Sequence, residues 1–460
     1  MPVSRLVTAL AAAALVTAAS SISAQGPNAV DLGKRNARSK YTLGRIISIQ
    51  ELADGRVVTS DAKEGVFRIV DLNKGDVTLL GTQGDDSAAY RRASTIVKLG
   101  TDSLALLDPL GRKVMRISSS GAIGGFVPMP PPVPGHYLGT LLGGDGSGAL
   151  YFTTPELRDT AAKTMTGIAG VSRLPRGASI DQPMITFSTR RADQKSPGPF
   201  MPFVFRDAVA VRNDGLIARV VADTYQVIWS RDGKETGRTG PLPFVEIPIP
   251  AEEQQAIKDS SLAQMRAMTA GNGQAMTFNG PGSAGLGAGG VGGGGPVTIT
   301  MIGGGGGNMT FTSGVAAGAA AALGGARAVS GGSAPTPAGG APGSTPGATT
   351  TAPSPIDMKA VIDKMAAQPL ATFPAYKPPV PQNLQYTVMF DGTGMLWVPR
   401  DHARGDQVQT YDVVSEAKGL VGRVRIPQGV RLVGFGKGVV YFARAENGDE
   451  WLERYAAPRF

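Results

Sequence analysis

The stretch Thr387-Val388-Met389-Phe390-Asp391-Gly392-Thr393-Gly394-Met395-Leu396-Trp397-Val398 decides the fold. It reads as a strand, an Asp-Gly turn and a second strand, the short-range signature of a β-hairpin. The same phrase occurs as Ser48-Ile49-Gln50-Glu51-Leu52-Ala53-Asp54-Gly55-Arg56-Val57-Val58. It returns in Leu141-Leu142-Gly143-Gly144-Asp145-Gly146 and in Ala208-Val209-Ala210-Val211-Arg212-Asn213-Asp214-Gly215-Leu216-Ile217. A hairpin repeated along a chain with room for about 40 to 50 residues per unit predicts blades of a β-propeller.

Six blades fit the chain. Blade one takes 46–52, 56–61, 65–72 and 77–81, and blade two takes 94–99, 103–108, 113–118 and 122–127. Their third strands match as a repeat: Val66-Phe67-Arg68-Ile69 corresponds to Val114-Met115-Arg116-Ile117, each after a strand ending in Asp61 or Asp108. Blade three starts near Tyr137, with outer strands 170–174 and 184–188. Blade four runs from Arg206 to about Gly240. Blade five takes 385–390, 395–400, 407–413 and 420–426. Blade six has only 430–435, 439–444 and 450–455 before the chain ends. An open sheet edge invites aggregation, and a closed ring removes it. The segment 36–44, around Tyr41-Thr42-Leu43, is therefore expected to supply the missing outer strand of blade six.

Between blades four and five the pattern breaks. Residues 252–268 read as a helix, with Ala256, Ile257, Leu262, Met265 and Met268 as its apolar positions. Ser354-Pro355 opens a second short helix carrying Met358, Val361, Ile362 and Met365. Residues 269–353 between them are Gly-, Ala- and Pro-rich, and Arg327 is their single charge. Such composition lacks the apolar surface that offsets chain ordering, so a low-complexity, disordered insert is expected. Val297–Ile302 and Met309–Thr312 within it have strand-like composition, and an adhesive β-rich arm is the alternative.

The N-terminus reads as a secretory signal over residues 1–24. Arg5 supplies a positive start, Leu6 to Ala19 is apolar but short for a bilayer span, and small residues precede a cut after Ala24. The expected organisation is thus 1–24 signal, 25–268 blades one to four, 269–353 insert and 354–460 blades five and six, exported to the periplasm or outside the cell. The net charge of +9 is spread along the chain, with no basic stripe interleaved with aromatics, so no nucleic acid partner is expected. No later apolar stretch reaches the about 20 residues of a membrane span. The absence of cysteine excludes disulfides and thiolate chemistry.

Beyond these hairpins, the C-terminal third carries Pro379-Val380-Pro381, Tyr411-Asp412-Val413, Ile426-Pro427, Gly434-Phe435, Val439-Val440-Tyr441 and Glu453-Arg454-Tyr455. In that order they resemble the six-bladed β-propellers of the TolB-like and NHL-like kind, in particular exported bacterial members. The resemblance implies an all-β fold. It does not imply one activity, because that scaffold carries protein binding, sugar or peptide binding, lyase chemistry and lactone hydrolysis.

The chemistry available is sparse. His136 and His402 are the two histidines, which argues against a histidine-built zinc site. Calcium held by Asp61, Asp108 and Asp223, near the ends of second strands, is the metal alternative; the plainer account is that these carboxylates cap turns. Arg400 and Arg444 follow or end the second strands of blades five and six. With His402 they are candidates for gripping an anionic ligand, since a guanidinium holds a carboxylate or phosphate with two parallel hydrogen bonds. The plainer account pairs them with Asp401, Glu446 or an Asp of a neighbouring blade. Gly144-Asp145-Gly146-Ser147-Gly148 places Gly where a nucleophile elbow needs Ser. No Gly-rich stretch has the strand–loop–helix context of a phosphate loop. Trp229, Trp397 and Trp451 are expected to pack between blades. The expected function is a non-catalytic binding module for a protein or a small polar, anionic ligand, with no cofactor. The alternatives are a metal-assisted hydrolase or lyase, and a cell-envelope component that contacts its neighbour through the insert.

Overall fold

The structure, a computed structural model, describes residues 29–101, 103–129, 139–154, 156, 158–159, 164–177, 183–191, 203–270, 298–300, 310–312, 362–363, 366–367, 374–381, 387–403, 406 and 408–460. Six blade sheets succeed one another; five contain a meander of four consecutive strands, and the sixth has three with a fourth from the N-terminus. Blade one is Ile46–Glu51, Val57–Asp61, Val66–Asp71 and Asp76–Leu79. Blade two is Ile96–Leu99, Ser103–Asp108, Lys113–Ser118 and Ile123–Pro128. Blade three is Leu141–Gly144, Leu150–Thr153, Ile168–Leu174 and Ile185–Ser188, and blade four is Ala208–Val211, Ile217–Val221, Gln226–Arg231 and Lys234–Arg238. Blade five is Met389–Phe390, Leu396–Pro399, Thr410–Ser415 and Gly419–Arg425. Blade six has Val430–Gly436, Val439–Glu446 and Asp449–Ala456 from the C-terminus.

The ring closes through the N-terminus. Arg35–Arg38 pairs antiparallel with the last strand, matching Ala37 to Arg454 and Arg38 to Glu453. The closing strand therefore lies at the start of the expected segment, and Tyr41-Thr42-Leu43 does not form it. Tyr41 is exposed, while Leu43 makes an isolated bridge to Glu450 and is buried. The register explains the shift: Ala37 packs into the seam between blades six and one, and the chain then needs residues 39–45 to cross to the next blade. A further strand, Ala29–Asp31, adds in parallel to Arg423–Arg425, so blade five has five strands.

The core is divided among six seams, one per pair of adjacent blades. Val57, Val70 and Ile46 of blade one meet Tyr441, Val433 and Leu452 of blade six. Leu52, Val58 and Phe67 meet Leu104, Leu106 and Met115 of blade two. Trp397 of blade five packs on Phe435 of blade six, ring centres 5.0 Å apart. Trp229 of blade four meets Phe390 of blade five. These two tryptophans fill seams, while Trp451 lies under the Arg38 guanidinium, 4.1 Å from its ring centre.

The hairpin turns follow from the repeated phrase. Gly55, Gly148, Gly215 and Gly394 occupy one turn position with φ between 83° and 85°, where a side chain is strained. Asp391 binds the amides of Thr393 and Met395 and takes a hydrogen bond from Trp397 Nε1 at 3.0 Å. Asp145 does the same for Ser147, Ala149 and the Tyr151 hydroxyl. One short motif thus sets a turn and anchors the seam aromatic six residues later.

Helix α1 (Ala251–Ala270) starts after Pro250 with Glu252 and Glu253 in its first turn, where negative charge suits the open amides. Two short helices were expected. The helix found is 20 residues long, and the second would begin outside the described residues, with 362–363 and 366 helical. Of the insert 269–353, the structure describes residues 269–270 at the end of α1 and an antiparallel pair, Thr298–Thr300 with Thr310–Thr312; the rest lies outside the described residues.

Candidate functional site at the loop-bearing end

In a meander, turns alternate between the two ends of the sheet. First-to-second and third-to-fourth connections therefore share one end of the ring, and second-to-third turns share the other with the blade-to-blade crossings. The lengths are unequal. The short hairpins 52–56, 145–149, 212–216 and 391–395 lie at one end. The long connections 80–95, 129–140, 154–167, 189–207, 239–388 and 400–409 all lie at the other.

Asp61 and Asp108 lie at the loop-bearing end and are buried. Asp61 accepts from the amides of Gly44, Arg45, Lys63 and Glu64 and from Arg68. Asp108 accepts from the amides of Arg91, Arg92 and Gly111. Each carboxylate ties the turn after its strand to the chain entering its blade. In blade four the tie is reversed: Asp207, on the entering chain, accepts from the amides of Ser188 and Ala222. Asp223 is exposed and lies 3.6 Å from Arg191. The structure does not gather Asp61, Asp108 and Asp223. Among the described residues, no three His, Cys, Asp or Glu side chains come together to share a cation.

Arg400 and Arg444 sit on separate carboxylates in separate blades. Arg400 donates to Asp412 at 2.7 Å and to Pro243 O, and its guanidinium lies over Tyr225 and Phe244. Asp412, fully buried, also accepts from Arg423 and from the Tyr225 hydroxyl of the neighbouring blade. Arg444 donates to Glu453, which also binds Arg35 of the closing strand and Tyr455. Burial opposes ionisation of Glu453, yet hydrogen bonds from Arg444, Tyr455 and Arg35 hold its carboxyl below the usual range. The two blades share one device: a buried carboxylate on the third strand, clasped by arginines of the second and fourth.

A different polar group lies at the root of the 239–388 connection. The chain leaves and returns through a short antiparallel contact, with Lys377 N donating to Ile247 O and Ile249 N to Ala375 O. There the Lys377 ammonium, 2% exposed as a residue, lies 2.8 Å from Glu253 Oε1 of α1. The distance is that of a direct ion pair, although its direction is poor for a hydrogen bond, and neither Glu253 oxygen has a hydrogen-bond donor. Lys377 also donates to His402 O at 3.0 Å and lies over the Phe203 ring. Asp401, adjacent and buried, accepts from the His402 amide. Burial pushes the Asp401 carboxyl up to about 6, opposed by the Lys377 charge. Burial, then Lys377, lowers the His402 imidazole, whose Nδ1 has no hydrogen-bond partner.

Of the residues proposed from sequence, His402 belongs to this group and His136 lies outside the described residues. Lys377 and Glu253 carried no sequence signal: a Lys in a Pro-rich stretch and a Glu in a helix start look like surface residues. Asp401, expected only as an ion-pair partner of Arg400, is not that partner, since Arg400 donates to Asp412. The opposite end holds an open depression of about 720 Å³ lined by Thr101, Ser103, Asp145, Ser147, Asn213 and Asp214.

No family model matches this chain. No curated protein matches it. Among solved structures, a member of the DUF4221 family from Bacteroides vulgatus is 8% identical, with a TM-score of 0.42 over 94% of this chain and 98% of its own. Regucalcin from Agrobacterium tumefaciens, a calcium-binding protein, is 11% identical, with a TM-score of 0.37 over 95% and 98%. A streptogramin B lyase is 14% identical, with a TM-score of 0.26; the match spans 45% of this chain and 57% of that lyase. The six sheets, their shared seams and the strand lent by the N-terminus establish the chain as a closed, six-bladed β-propeller.

Proposed function

We propose that this propeller is an exported, non-catalytic binding module that receives a protein partner on its loop-bearing end. One observation carries the reading. Tyr41, Leu110, Val245, Tyr376 and Val408 are large, apolar and exposed, and all lie in connections of that end; Val245 is 80% exposed. At the opposite end, the exposed large hydrophobic residues among those described are Ile123, beside the third-to-fourth turn of blade two, and Phe460 at the C-terminus. Single exposed apolar residues are ordinary on a protein surface, but their concentration at one end suits an interface. The polar candidates support the non-catalytic part: Asp61, Asp108, Arg400 and Arg444 are all engaged within the fold. Among the described residues, no helix is long and apolar enough to cross a membrane.

Photo-crosslinking in the native host tests this. A photoreactive residue at Val245, Tyr376 or Val408 should trap one protein, and the same residue at Asn213 or Ser147 should not. Equal trapping from both ends, or a small molecule converted by the purified protein, would refute the reading.

A further inference from the structure

We propose that the root of the connection between blades four and five is a pH-sensitive clasp, in which Lys377 secures helix α1 through Glu253 in mildly acidic solution and releases it as Asp401 ionises. The proposal gives a means of regulation to the end assigned above to partner binding, and rests on that assignment only for its consequence.

The geometry comes first. Helix α1 is attached to the propeller at its first turns. Ile257, Ile249 and Phe203 form a small apolar cluster apart from the blade seams. Glu253, 0% exposed, places its carboxylate inside, against Lys377. Lys377 comes from the returning strand, so this one ion pair joins the outgoing and incoming arms of the connection. Asp401 comes from a third element, the loop after the second strand of blade five, and its amide donates to Pro379 O. Three segments thus meet around a single ammonium.

The charges that act on Asp401 are those of Lys377 and Glu253; those that act on His402 are Lys377, Asp406 and Glu253. While Asp401 is protonated, the Lys377 and Glu253 charges cancel. Once it ionises, one buried cation faces two buried carboxylates. An uncompensated buried charge is costly, and the segment relieves it by opening to water. The elevated Asp401 value, about 6 against an ordinary 3.8, sets the window. Opening restores the ordinary value. The equilibrium for opening should therefore rise as pH increases from about 4 to above 6, by at most on the order of 100-fold, the ratio that about two pKa units allow. Titration of His402 has the opposite sense, because its lowered value makes acid the loosening condition. The direction of the response distinguishes the two groups.

Hydrogen exchange read by mass spectrometry tests the clasp on the full chain. Peptides from Ala251–Ala270 are compared with peptides from Val430–Gly436 at pH 5 and pH 7.5, after correction for the chemical exchange rate. In the wild type, α1 should exchange faster at pH 7.5 than at pH 5, by up to about 10-fold, while the blade peptides keep their protection. Asp401→Asn retains the oxygen that accepts from the His402 amide and should keep α1 protected at both values. Lys377→Met should leave α1 unprotected at both, with the blades unchanged. Equal protection of α1 at both pH values in the wild type would overturn the proposal. So would a pH response that survives in Asp401→Asn, or loosening on the acid side. None of these readings depends on a partner, so failure of the clasp and failure of the crosslinking are separate results.

Discussion

Asp391 and Asp145 show how much one carboxylate does in this fold. Each organises a hairpin turn and anchors the polar atom of a buried aromatic, Trp397 or Tyr151. Asp391→Ala should cost about 1–3 kcal/mol, because it leaves amides and the indole N–H without an acceptor; the urea midpoint measures this. Gly422 is a second point of contact. A Cβ there would collide with the Phe460 ring, so the C-terminal residue packs on the fourth strand of blade five. Gly422→Ala should destabilise by less than about 1 kcal/mol, because the ring it meets belongs to the half-exposed terminal residue and can move aside. Phe460→Ala in the same chain should return part of that loss, and strictly additive losses in thermal melts would exclude the contact. Asp401 supplies a pH dependence. Its folded value is raised, so its stabilising contribution is present below 3.8 and lost as pH rises through about 6. Relative to Asp401→Asn, the wild type should lose up to about 3 kcal/mol between pH 4 and pH 7. Urea midpoints at several pH values give the difference, and a constant difference would contradict it. The meeting of Lys377 and Asp401 with Glu253 was not legible beforehand, because it joins residues more than a hundred positions apart.

At the level of elements, the closing strand is the decisive one. Arg35–Arg38 completes blade six and brings Arg35 to the buried Glu453. Removing residues 25–38 should cost on the order of 5 kcal/mol, since it opens a sheet edge and strips a buried carboxylate of a partner. Removing only 25–33, and with it the short strand Ala29–Asp31, should cost far less: its Asp31–Arg425 ion pair is exposed. Differential scanning calorimetry of the two truncations tests the ranking, and equal losses would deny the closing role. The need for this strand was legible from the three-stranded last blade. Its position was not, because Tyr41-Thr42-Leu43 looks more strand-like than Arg35-Asn36-Ala37-Arg38. The seam position of Ala37 outweighed local propensity.

For the whole molecule, the core is a ring of six seams in place of one centre, so each blade depends on both neighbours. The 239–388 connection interrupts this ring in sequence but not in space, because its two ends are paired at 247–249 and 375–377. Replacing residues 271–353 with a short linker should therefore leave the melting temperature nearly unchanged. A large fall would show that the insert is part of the folding unit. The asymmetry between the two ends is also a property of the whole. Long crossings alternate with short hairpins along the chain, and only the meander sorts them to opposite sides.

The sequence alone determined the blades, their number and the need to borrow a strand, because hairpins and turns are local: an Asp-Gly turn and alternating apolar residues act over a dozen positions. Only the tertiary structure decided which carboxylates are engaged, which arginines share them and which residues stand exposed at one end. Those properties arise from burial and from charges brought together across blades, and neither is written in any single stretch of chain.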